Sequence, residues 1–226
     1  MRHVFVAIIC SVVLCASSGC KKDNKDSSNS FETLFKGQAW SGELKYNVSW
    51  TREPFFVQFN SSDNRFTWYE FRGTYTGIYS VDPGKRQIKL TFDLSGNTFT
   101  SIVDKDNKLM FFSYGGSYSW IIINAELNTS GSDEITNTSW KGVFDLESGS
   151  TIKNVSLEFK PSLTVTLPSG LPTTYARNGS FIKFATAISA GVDEKYFVVL
   201  NKNKITGVRI VGPSANPYST VDLTKQ

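Results

Sequence analysis

Beyond position 20 this 226-residue chain has no cysteine and no histidine: the three cysteines are Cys10, Cys15 and Cys20, and the single histidine is His3. Everything downstream therefore lacks disulfides, cysteine nucleophiles, Ser-His-Asp triads and the ligands of nearly all zinc and transition-metal centres. Carboxylate chemistry, Ser-Lys chemistry and calcium sites stay open. The closest approach to a calcium loop is Asp104-Lys105-Asp106-Asn107. It has neither the further ligands nor the Gly and Glu of an EF-hand, and reads as a hairpin turn. Charge clustering is missing too. The 24 basic and 20 acidic side chains are scattered, so nothing suits a nucleic acid. No amphipathic helix of ordinary length and no cofactor motif occurs. The expectation is a non-enzymatic protein with no metal and no cofactor.

One long apolar run is present, and it comes first. Met1-Arg2-His3 carries positive charge, residues 4–16 are apolar apart from Ser11, and small residues lead to Cys20. That run falls short of the roughly 20 residues a membrane-spanning helix needs. A charged start, short apolar core and small-residue exit describe a secretory signal, here residues 1–19. Ser17-Ser18-Gly19-Cys20 resembles the bacterial lipobox. The resemblance implies lipidation of Cys20, cleavage ahead of it and lasting membrane attachment through several acyl chains. Residues 20–30 are polar and charged beyond the cysteine and form a flexible tether. The Lys and Asp residues directly after Cys20 also resemble those of Bacteroidetes surface lipoproteins, which implies an outer-membrane, surface-exposed location in the cell envelope.

From Trp40 the chain alternates apolar and polar residues. Strands are expected over 40–48, 55–59, 65–71, 74–80, 87–93, 99–103, 108–114 and 119–127. Ile88, Leu90 and Phe92 share one face of their strand. Ahead of these, Ser30 and Gly37 bracket a helical turn that puts Phe31, Leu34 and Phe35 on one side, suited to plug a barrel or sandwich end.

The second half then repeats the first. Trp40-Ser41-Gly42 matches Trp140-Lys141-Gly142, Phe55-to-Phe59 matches Val155-to-Phe159, and Thr74-Tyr75 matches Thr174-Tyr175. Ile88-Lys89-Leu90 matches Ile182-Lys183-Phe184. The division is 31–130 and 131–226, with the polar Gly/Ser stretch 128–133 as the linker. The fold class is all-β: two tandem small antiparallel β-barrels, or alternatively tandem β-sandwiches. A Trp on the first strand, successive hairpins and a last strand able to pair with it are similar to lipocalin-like domains of Bacteroidetes lipoproteins. The lipocalin Gly two before the Trp is absent here, Gly37 lying three before Trp40.

Aromatics concentrate in the first unit. Along 65–72, Phe66, Trp68 and Glu70 fall on one strand face and Thr67, Tyr69 and Phe71 on the other; both faces carry aromatics, so one face does more than meet water. In 119–127, Ile121, Ile123, Ala125 and Leu127 form the expected core face, opposite Trp120 and Ile122. Trp68, Tyr69, Tyr118 and Trp120 are the candidate ligand platform, since Trp and Tyr combine rigid apolar area with a polar handle. The competing assignment is core filling, or cover for an interface between the units. Of the carboxylates, Glu70 and Glu126 sit in aromatic strands. Three functions follow, in order: a binding module for a glycan or small apolar ligand, a structural component contacting an envelope protein partner, and a glycoside hydrolase using paired carboxylates.

Overall fold

Alternation of apolar and polar side chains makes nearly every segment a strand, and each unit closes on itself. The structure, a computed structural model, describes residues 30–46, 52–114, 120–130, 135–212 and 219–226. For Tyr46, residues 110–114 and residues 120, 121, 123 and 124 it describes the backbone alone. The first unit holds β1 (Ala39–Tyr46), β2 (Arg52–Phe59), β3 (Arg65–Glu70), β4 (Gly73–Asp82), β5 (Gln87–Phe92), β6 (Thr98–Val103), β7 (Lys108–Tyr114) and β8 (Trp120–Leu127). The second holds β9 (Thr138–Leu146), β10 (Thr151–Lys160), β11 (Thr164–Thr166), β12 (Pro172–Asn178), β13 (Phe181–Ser189), β14 (Val192–Asn201), β15 (Lys204–Val211) and β16 (Ser219–Lys225). Neighbours in sequence pair antiparallel, β8 returns to β1, and β16 returns to β9, giving two closed eight-stranded barrels in tandem. The barrel alternative holds over the sandwich. Every strand expected in the first unit is present, its ends shifted by three residues at most.

The internal repeat has a structural meaning. Trp40 pairs with Val57 and Trp140 with Leu157, so the matched segments occupy the same register. Both tryptophans are fully buried. Gly42 and Gly142 lie on the closing seams. A Cβ added at Gly42 would sit 2.6 Å from the Ala125 backbone, and one at Gly142 would sit 2.0 Å from the Asp222 carbonyl oxygen. The Trp-x-Gly repeat therefore pairs a core anchor with the close approach of first and last strands.

One end of barrel 1 is stoppered by the turn beginning at Ser30. Phe31 and Phe35 are buried, and Leu34 packs against the same cluster. The Trp40 indole N–H donates to the Leu34 carbonyl at 2.7 Å, while the Phe35 and Trp40 rings stack at 5.4 Å. Gly37 ends the turn at φ 73°, in the left-handed region. Buried Ile135 stands in the corresponding place in barrel 2.

The barrels are docked wall to wall. Phe56 of β2 points outward into a cluster with Phe181 and Val199, joined by Ala39, Tyr69 and Phe197. Asn128 is buried at the junction: its amide group donates to Ser41 Oγ at 2.9 Å and to the Leu200 carbonyl at 2.8 Å, and its oxygen accepts from Ser180. The expected polar boundary is thus, at Asn128, a tied and buried joint.

The face assigned to Ile122 needs correction. The register of β1 against β8 shifts between Ser41 and Glu43, a bulge that reverses the inward parity along β8. Ile122 consequently packs in the barrel 1 core with Ala125.

Candidate functional site

The end of barrel 1 opposite the Ser30 turn gathers polar interior groups. β2 starts there and β3 ends there. Alternation sends Glu53, Phe55, Val57 and Phe59 inward from β2, and Phe66, Trp68 and Glu70 inward from β3. Phe55 pairs with Glu70, so Glu53 stands diagonally across from Glu70, about 7–8 Å away between backbones. Both carboxylates are buried, Glu53 completely.

Around them, an aromatic wall is already assembled. Trp68 stacks on Phe55 with centroids 4.4 Å apart, and Phe92 meets both Trp68 and Tyr75 edge-on. The Trp68 indole N–H donates to Glu70 Oε2 at 3.4 Å. Burial, and next the Glu70 carboxylate, hold the Tyr75 phenol above its ordinary range. From the β3–β4 turn, Arg72 reaches back and its Nη2 donates to Glu53 Oε1 at 3.0 Å. The Arg72 side chain is 40% exposed, while that of Glu53 is 0% exposed. Glu53 Oε2 is buried and has no hydrogen-bond partner. Burial pushes the Glu53 carboxyl up to about 7, against the opposing pull of Arg72.

The four candidate platform residues separate. Trp68 lies inside barrel 1, 2% exposed. Tyr69 points out of the barrel and its ring lies against Phe181 of barrel 2 at 5.9 Å, within the wall-to-wall contact. Trp120 pairs through its backbone with Tyr46, at the end opposite the Ser30 turn. Tyr118 lies outside the described residues, as do Cys20, the signal segment and the tether. Glu126 faces outward and accepts a 2.7 Å hydrogen bond from Asn201 of barrel 2. The barrel wall therefore separates Glu126 from Glu70, and the two do not face one another. Glu53 is the residue that sequence reasoning passed over. Extending the Phe55–Val57–Phe59 alternation one step back would have placed it inside.

Barrel 2 treats its interior charge differently. Glu194 and Arg209 form a close ion pair, Arg209 Nε donating to Glu194 Oε1. The guanidinium lies over Phe144 at 5.7 Å. Tyr196, beside this pair, is held above the usual phenol range by burial and the Glu194 carboxylate. Elsewhere in barrel 2 the buried Tyr175 and Ser219 hydroxyls have no hydrogen-bond partner. Among the described residues no three His, Cys, Asp or Glu side chains come together as a metal site.

Comparison with protein-family models, curated proteins and solved structures gave no match.

Proposed function

We propose that this protein is a non-catalytic binding module that takes a small ligand, a glycan or an apolar molecule, at the end of barrel 1 opposite the Ser30 turn. The observation that carries this reading is the asymmetry of that barrel. One end is stoppered by Phe31, Leu34 and Phe35. The other collects Trp68, Tyr75, Glu70 and the incompletely bonded Glu53 within an otherwise apolar interior. Small-molecule sites combine such apolar and aromatic walls with a few convergent polar groups. Barrel 2 braces this arrangement through the Phe56 and Asn128 contacts. The lipobox-like segment adds location: a lipid at Cys20 tethers the module to the outer membrane of a bacterial envelope, facing outward.

Intrinsic tryptophan fluorescence of the chain, titrated with polysaccharides, fatty acids and bile salts, tests the reading. A saturable change that Trp68→Phe reduces without altering the fold is expected. A flat response to the whole panel would overturn it.

A further inference from the structure

Building on that reading of barrel 1, we propose that its ligand presents a cationic ammonium group, received by Glu53 Oε2 beside Glu70 and the Trp68–Tyr75 wall. The first support is the orphaned oxygen. A fully buried carboxylate ordinarily satisfies both oxygens, yet Glu53 bonds Arg72 through Oε1 and leaves Oε2 bare. An N–H donor that enters with positive charge supplies what this atom lacks, through the stronger, charge-assisted class of hydrogen bond. The second support is the surroundings. Glu70 adds a second carboxylate on the same inner face, and the rings of Phe55, Trp68 and Tyr75 are apolar walls whose faces attract cations.

Arg72 supplies the third support. Its guanidinium already shows that a cation fits against Glu53, and its exposed stem belongs to a turn and not to the barrel wall. It is a resident cation that a ligand can join or displace. The raised Glu53 carboxyl agrees with this: in the absence of a second cation, a proton takes that place. A divalent metal fits less well, because calcium asks for six to eight oxygen ligands and two carboxylates are gathered here.

The test is calorimetric titration of the full chain at pH 8 with three six-carbon probes that differ only in the head group: hexylammonium, hexanol and hexanoate. Hexylammonium is expected to saturate at one site, with hexanoate giving no saturable heat. Glu53→Gln should weaken hexylammonium by about tenfold or more, and Glu158→Gln, on the outside of barrel 2, should leave it unchanged. Arg72→Gln keeps a donor for the buried Glu53 while removing the positive charge, and keeps the test available if Glu53→Gln fails to fold. It should tighten hexylammonium several-fold, because the competing cation is gone, and unchanged or weaker binding would overturn the proposal. So would calcium binding in place of hexylammonium. If hexanol or hexanoate saturates the site and hexylammonium does not, barrel 1 stands as a binding module and the cationic assignment falls. If the wider panel also fails, both fall.

Discussion

At the scale of single residues, Glu53 weakens the fold as pH rises. Its carboxyl is raised from 4.5 to about 7. Between those values the folded protein keeps a proton that the unfolded chain has released. Stability contributed through Glu53 is therefore present below about pH 4.5 and is lost as pH rises to 7. The shift corresponds to roughly 3 kcal/mol. Glu53→Gln cannot titrate, so the stability of the wild type relative to Glu53→Gln should fall by up to about that amount from pH 4.5 to 8. Urea denaturation at closely spaced pH values measures it, and parallel curves for the two proteins would contradict the assignment. The neighbouring pair Trp68 and Tyr69 shows what sequence carried at this scale. Alternation placed them on opposite faces of β3, correctly. It could not say that the outer face meets Phe181, because that contact joins residues more than a hundred positions apart.

At the scale of elements, strands were legible and their irregularities were not. Ile88, Leu90 and Phe92 alternate cleanly and all lie inside the barrel. The β1–β8 bulge left no mark in the pattern, since Ile121, Ile122 and Ile123 are identical in type and any register suits them. Glu53 escaped notice for the converse reason: a charged residue at a strand start reads as the end of the pattern. The Trp-x-Gly repeat was visible as a repeat, but its cause is the approach of strands distant in sequence. Gly142→Ala tests that cause. Its Cβ would fall 2.0 Å from the Asp222 carbonyl, so the β9–β16 seam must part. A loss of about 1–3 kcal/mol or more is expected, with faster hydrogen exchange along β9 and β16 and little change along β3. Uniform exchange across both barrels would speak against a local seam.

For the molecule as a whole, the two barrels act as one body because Phe56 and Asn128 are buried where they meet. The presence of two like units was readable from the chain. The joint's rigidity was not, because polar residues next to Ser and Gly look the same whether solvated or clasped. Asn128→Ala removes the buried amide that donates to the Leu200 carbonyl and to Ser41 Oγ, a cost of about 1–3 kcal/mol. Phe56→Ala should cost about 3–5 kcal/mol. Calorimetry of the wild type should show one unfolding transition, and the double variant two. Two transitions in the wild type would mean that the barrels were never coupled. The closed seam also sets the pace of assembly. Ser41 and Asn128, joined through their side chains at that seam, lie 87 positions apart. β1 therefore waits with an unpaired edge until β8 arrives, and β9 waits likewise for β16. Closing these two seams is the non-local step, since the other strands pair with their neighbours in sequence, and non-local pairing slows folding. During that delay the Phe35–Trp40 stack, five positions apart in sequence, is local enough to form early and hold β1 in place.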